Sequence, residues 1–443
     1  MTDAAGIFAP AALLPDGWQR SVAIRWDGNG LLTSLEPDAT PGSLPVAAGP
    51  VVPGMPNAHS HAFQRVLAGR VQAPEPEADF WAWRTLMYRA VAALTPTSLE
   101  KLCAWVFAEM VTAGYTSVLE FHYVHRVGGA APEESAQAML RAAGQAGIAV
   151  TLAPVLYRHG GIGRPLSAEQ APFGMERAEY GALIRELHAA GHHVAVAPHS
   201  VRACDRDDIE AVLDAAGDAL PIHIHVSEQP AEVAEAQRHL GGTPIAWLDR
   251  EFGLSPRWGL VHATQATPEE LALLDARKAG LVLCPTTEHD LGDGRYPLER
   301  TPRAAWTIGS DSQLSVAPGE ELRLILAGLR AAAGRRAVLP PSAFSDGTAL
   351  WQRAALSAEP LLGQPVGALA EGSRADFLVI DGEAPLFAGL TPDEALSAWV
   401  LSGSPSHLSE VRVGGRVKAR AGRHVDHEAL AGGWISTVRE ILK

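Results

Sequence analysis

Between residues 51 and 312 the chain repeats one pattern eight times, and few folds can absorb such a pattern. A short apolar run rich in β-branched residues is followed by a stretch compatible with an amphipathic helix. The runs are VVPGMPNAHSH (51–61), YTSVLEFHYV (115–124), IAVTLAPVLYR (148–158), HHVAVAPHS (192–200), PIHIHVSEQ (221–229), WGLVHAT (258–264), AGLVLCPTTE (279–288) and AAWTIGSDS (304–312). Most intervening stretches resemble PEESAQAMLRAAGQAG or TPEELALLDARKAG, with Thr or Pro at the start and apolar residues at helical spacing. Strands alternating with helices predict a parallel sheet, and eight repeats predict its closure into a (β/α)8 TIM-type barrel. The class is therefore α/β.

The flanks carry a different pattern. Residues 1–50 contain short strand-like pieces (SVAIRWDG, LLTSLEP) broken by Pro and Gly. Beyond residue 365, ADFLVIDG and SEVRVGGRVKARAGRHV alternate as hairpins do, with GG as a turn signal. Together the flanks predict a small β-sandwich domain. The expected organisation is residues 1–50 and 365–443, the latter with a terminal helix, around a barrel at 51–364.

The net charge of −14 argues against a nucleic-acid surface or a polybasic membrane patch. No apolar run is long enough to span a bilayer, and the N-terminal segment lacks signal-peptide character. Cys103, Cys204 and Cys284 form no CxxC pair and read as buried free thiols. A cytoplasmic enzyme is the expectation.

In a barrel of this kind, chemistry collects at the C-terminal ends of the strands. His59 and His61 leave the first strand on the same face, because side chains at i and i+2 share a face, so both imidazoles can reach one ion. His225 ends the fifth strand, His262 lies in the sixth and Asp311 ends the eighth. Imidazoles with a carboxylate suit Zn²⁺, Fe²⁺ or Mn²⁺, and an ion held there would lower the pKa of a water towards about 7. Glu228, three residues after His225, is placed for proton transfer; as a bland alternative it is a carboxylate at a helix N-terminus. His223 shares strand parity with His225 and reads as a core histidine. Strand four carries APHS and no lysine to bridge a second metal, which predicts a single ion.

The order HxH, HxxE, H, SD resembles the amidohydrolase superfamily in its mononuclear deaminase branch. The segments MPNAHSHAFQRVLAGR, FWAWRTLMY, EFHYVH, APHSVRA, HIHVSEQ, PTTE with LGDG, and GSDS resemble, more narrowly, the formimidoylglutamate deiminase family. That resemblance implies hydrolysis of N-formimino-L-glutamate to N-formyl-L-glutamate and ammonia in histidine degradation, and a homodimer. It implies His59, His61, His225 and Asp311 as ligands of one divalent ion, Zn²⁺ foremost. It implies Glu228, His262 and Asp311 as catalytic residues. Gln64, Arg84, Tyr123, His199 and Arg202 match the positions that hold the glutamate part. Arginine is also chemically apt for a dicarboxylate, since its planar fork donates bidentately.

The chain departs from the family pattern at His289 and Asp290 after PTTE, at Gln313 after GSDS, at Gln265, and at Arg126 after His125. These departures put rate and substrate preference in question, not reaction type. Two rival readings remain at this stage: a deaminase of a purine, pterin or related heterocycle on the same barrel, and a non-catalytic barrel serving binding or assembly.

Overall fold

A computed structural model describes residues 5–70, 80–301 and 304–441, leaving the side chains of 80–85 outside that description. Eight parallel strands form the expected ring: β1 (Met55–Ser60), β2 (Tyr115–His122), β3 (Ala149–Leu156), β4 (Ala197–Pro198), β5 (Ile222–Val226), β6 (Trp258–His262), β7 (Gly280–Leu283) and β8 (Trp306–Ile308). Regular ladders join β1 through β4 and β5 through β8. Isolated parallel bridges close the ring, Val196 to Ile222 and Ser200 to His225 on one side, Ser60 to Asp311 on the other. The second seam brings Asp311 beside the β1 histidines: Asp311 N donates to His59 O and His61 N to Asp311 O, both at 3.0 Å.

The helices begin and end as their sequences require. Thr95 caps Pro96–Ala113 by accepting from Ser98 N, and Gly114 ends that helix with a left-handed φ of 108°. Leu102, Val106, Phe107 and Met110 of the same helix are completely buried against the barrel. Thr267 caps Pro268–Arg277 in the same manner.

Two features differ from the sequence expectation. The run 51–61, read as one strand, is two. Val51–Pro53 pairs with Ala5–Leu14 and Phe377–Ile380 in the outer sheet, and the barrel strand starts only at Met55. A Cβ on Gly54 would stand 2.2 Å from Thr116 Oγ1, so a side chain is sterically barred where the chain passes between sheets. Secondly, residues 365–443 are not confined to the small domain. Helix Pro392–Ser402 packs mainly on Asp346–Leu356 and Pro318–Ala333, and His427–Ile441 packs on Pro96–Ala113.

The two flanks meet in one eight-stranded sheet. Its order is Arg423–His424, Arg416–Arg420, Leu408–Val413, Phe377–Ile380, Val51–Pro53, Ala5–Leu14, Gly17–Trp26, Leu32–Glu36. Trp26 and Phe377 lie three strands apart in that order, about 14 Å in a flat sheet. Their ring centroids are 5.7 Å apart, so the sheet folds over a core of its own that includes Ile24, Val51 and Leu369. Gly414 and Gly415, both at positive φ, form the tight turn that the GG signal predicts. All three cysteines are buried and free. Among the described residues no helix is long and apolar enough to cross a membrane.

Candidate active site

His59 and His61 project from the end of β1, His225 from β5, and Asp311 from the residues after β8. His59 Nε2 stands 3.1 Å from His61 Nε2 and 3.1 Å from His225 Nε2; His61 Nε2 and His225 Nε2 are 3.4 Å apart. Asp311 Oδ1 lies 3.3 Å from His59 Nε2 and 3.2 Å from His61 Nε2. Four donors placed tetrahedrally about an ion at 2.0–2.1 Å stand roughly 3.3 Å from one another. The four side chains are almost fully buried, and one ligand atom from each falls within 4.8 Å of the others.

Their tautomers agree with ligation. His61 Nδ1 donates to Phe121 O and His225 Nδ1 to His199 O, each at 3.0 Å, which leaves both Nε2 lone pairs facing the centre. Burial, above all, lowers the His59 pKa to about 3 and that of His225 well below the ordinary value, so both rings are neutral. Burial works against the Asp311 anion, yet the adjoining His59 and His61 rings hold it well below the usual carboxylate range. This donor set fits a divalent cation.

The backbone around the centre is under strain. Ser227, His262, Ala263, Asp311 and Gln313 all adopt left-handed φ, between 44° and 74°. Non-glycine residues adopt such conformations at a cost, and here they sit at the strand ends that carry the candidate site residues.

Glu228 follows β5 and reaches into the same space. Its Oε1 is 3.9 Å from His262 Nε2, which is in turn 3.8 Å from Asp311 Oδ2. Burial disfavours a charged His262, but the carboxylates of Glu228, Glu288 and Asp311 around it hold its pKa at about 10. Arg202 Nη2 donates to Glu228 Oε2 at 3.0 Å, and its Nε lies 3.8 Å from Glu232 Oε1. Glu232 also accepts from Glu228 N at 2.9 Å. Arg202 is thus engaged with the candidate acid as well as facing the cavity, a pairing the sequence reading did not contain.

A cavity of about 400 Å³ opens above this centre and is lined by Gln64, Tyr123, His199, Arg202, Glu228 and His262 together with three of the four candidate ligands. Gln64 Nε2 donates to Tyr123 OH at 2.7 Å, and His199 packs between the Tyr157 and His225 rings. Arg84 belongs to helix Phe80–Ala92, and its side chain lies outside the described residues. His223 is the buried core histidine expected, bonded through Nε2 to Leu361 O at 2.8 Å.

None of the five departures lines the cavity. His289 and Asp290 are exposed, and Arg126 pairs with Glu179. Gln265 Nε2 donates to Asp293 O at 2.5 Å; Gln313 Nε2 donates to Ser60 Oγ and Asp311 O at 3.0 and 2.8 Å, bracing β1 against β8. Besides Glu232, three buried carboxylates beside the site went unassigned from sequence. Glu120 accepts from Ser60 Oγ and Ala62 N, on either side of His61. Glu288 contacts His262 Nδ1 at 3.3 Å. Asp293 binds Gln229, and burial followed by the Glu228 charge pushes its pKa up to about 8. The segments EFHYVH and PTTE with LGDG, which hold all three, carried only the resemblance.

Residues 51–418 match the model of the amidohydrolase family, and residues 5–43 match the N-terminal domain of formimidoylglutamate deiminase HutF. The chain belongs to the amidohydrolase family. It is 41% identical to formimidoylglutamate deiminase of Pseudomonas aeruginosa, with 98% of this chain and 99% of that protein covered. Its fold matches an amidohydrolase from Brucella melitensis at a TM-score of 0.91 and 33% identity, over 99% and 100% of the two chains. An adenosine deaminase from Xanthomonas campestris with bound zinc superposes at 0.81 and 22% identity, over 99% and 98%. A metal-dependent hydrolase of C–N bonds is the consequence. The non-catalytic reading falls, since the donor set and its neighbouring acids converge in a member of a hydrolase family.

Proposed function

We propose that this protein hydrolyses N-formimino-L-glutamate to N-formyl-L-glutamate and ammonia, as a step of histidine degradation. The observation that carries this reading is the convergence of His59, His61, His225 and Asp311 with Glu228, His262 and Arg202 at one cavity. Whole-length similarity to a formimidoylglutamate deiminase supports the choice of substrate.

A divalent ion held by His59, His61, His225 and Asp311, with Zn²⁺ the proposed occupant, supplies Lewis acidity and a water of lowered pKa. Asp311 Oδ1 faces the β1 histidines, so Oδ2, towards His262, is the oxygen free to take a proton from the attacking water. His262 Nε2, between Asp311 Oδ2 and Glu228 Oε1, orients the attacking water and steadies the tetrahedral centre as it forms. Glu228 delivers one proton to the imino nitrogen and Asp311 passes on the one it took from water, so ammonia leaves as the C–N bond breaks while Glu228 takes back the proton of the carbon-bound hydroxyl. Gln64, Tyr123, His199 and Arg202, with Arg84 by resemblance, hold the glutamate part. Fixing that end orients the formimino carbon, and well-oriented reactants save several kcal/mol of the barrier.

The test is ammonia release from N-formimino-L-glutamate by metal-loaded protein, against a chelated sample and a Glu228→Gln variant. Turnover lost in both controls, with metal content unchanged in the variant, supports the reading. Release from guanine but not from formiminoglutamate would move the assignment to a heterocycle deaminase.

A further inference from the structure

His262 is held differently from the other histidines of the site. His61 and His225 each hydrogen-bond a neutral backbone carbonyl through Nδ1. The Nδ1 of His262 faces a carboxylate, Glu288 Oε1, at 3.3 Å. Both residues are buried, at 1% and 2% exposure, so this contact is not diluted by solvent. We propose that Glu288 is a positioning residue for the deimination proposed above, fixing the His262 ring through Nδ1–H so that Nε2 points at Glu228 and Asp311.

Three observations carry the inference. The acceptor is itself immobilised: Glu288 Oε1 also accepts from Cys284 N at 2.8 Å. Its helix, Pro285–Asp290, is pinned by Thr286, which donates through N and Oγ1 to buried Glu321 at 2.9 and 2.6 Å. Next, an ionised carboxylate only accepts, so the ring nitrogen facing it must carry hydrogen. A ring rotated by half a turn would set carbon against Glu288 and turn a nitrogen away from the cavity. Lastly, the opposite nitrogen is the one that matters: Nε2 stands 3.9 Å from Glu228 Oε1 and 3.8 Å from Asp311 Oδ2, on the cavity wall. An acid behind a histidine, holding its tautomer and orientation, performs this service in Ser-His-Asp triads. Glu288 does not line the cavity and acts only through His262.

A merely structural role for Glu288 would be to cap Cys284 N, and the test separates the two. Glu288→Gln keeps an oxygen for that cap and removes the charge behind the ring. In metal-loaded enzyme we expect kcat to fall about tenfold to a hundredfold, the range for lost outer-shell partners of an active site, with KM within about twofold. The same substitution in a His262→Gln background should cost less than about twofold, because its target is gone. Unchanged kcat in Glu288→Gln, or equal losses in both backgrounds, would overturn the proposal. A second measurement needs no substrate and no Glu288 variant. In histidine-¹⁵N-labelled, metal-loaded wild type, the His262 ring, assigned by its loss in His262→Gln, should be protonated at Nδ1. A bare Nδ1 would refute the orientation even if the deiminase reading stands, whereas absent wild-type turnover with a protonated Nδ1 would refute only the substrate.

Discussion

Replacing Arg202 by alanine tests two proposed roles together, substrate recognition and placement of Glu228, because the side chain both contacts Glu228 and lines the cavity. Its Nη2 lies 3.0 Å from Glu228 Oε2, its Nε 3.8 Å from Glu232 Oε1, and the side chain is only 25% exposed. With its remaining donors facing the cavity, the guanidinium is proposed to form a second such pair with a substrate carboxylate, and truncating one member of a hydrogen-bonded charge pair costs about 2–5 kcal/mol. Taking about 3 kcal/mol, the loss in kcat/KM is roughly 140-fold, since 1.4 kcal/mol is tenfold. Two routes lead to that loss. If Arg202 grips a substrate carboxylate, the damage appears in KM and requires a carboxylate to be present. If it acts only by steadying Glu228, the damage appears in kcat and is blind to the rest of the substrate.

Formamidine separates these routes, because it carries the reacting amidine and no carboxylate. Steady-state ammonia release should show Arg202→Ala losing on the order of a hundredfold or more in kcat/KM with N-formimino-L-glutamate, mostly in KM. With formamidine the same variant should lose about tenfold or less, the part owed to Glu228. An equal factor on both substrates would refute carboxylate recognition by Arg202 and leave it as a partner of Glu228 alone. Thermal unfolding of the variant checks that Glu228 and Glu232, stripped of their cation, have not simply loosened the loop.

Two further outcomes probe the scaffold. A Cβ at Gly309 would stand 2.7 Å from His59 Cβ and 2.8 Å from His59 O, so Gly309→Ala should push β1 off the ion site; metal content by elemental analysis should fall, and stability should drop by about 1–3 kcal/mol. Trp351, fully buried, donates through Nε1 to Pro53 O at 3.1 Å and ties a barrel helix to the outer sheet. Trp351→Phe should cost about 1–3 kcal/mol in denaturant unfolding by stranding that carbonyl, with kcat for ammonia release unchanged.

Much of this site was legible in one dimension because barrels couple position in a strand to position in space. His59 and His61 sit two residues apart, and strand parity alone puts both on one face. Polar residues at the ends of successive strands converge once the sheet closes, so His225, Glu228, His262 and Asp311 could be gathered without knowing any contact. The glycine turn at 414–415 and the Thr and Pro starts of the helices are likewise local chemistry, decided within three or four residues.

What the tertiary structure alone decided are pairings between residues far apart in the chain and conformations imposed by them. Arg202 meets Glu228 across 26 residues, and Gln313 meets Ser60 across 253; periodicity reports only which face a residue occupies, never its partner on another strand. The passage at Gly54 from the outer sheet into the barrel depends on Thr116, a neighbour no local pattern names. The left-handed turns at His262 and Asp311 run against intrinsic preference, and packing of the closed barrel holds them. Glu288 belongs here too: an acid in a short helix becomes a group acting on His262 only when β6 and β7 lie side by side.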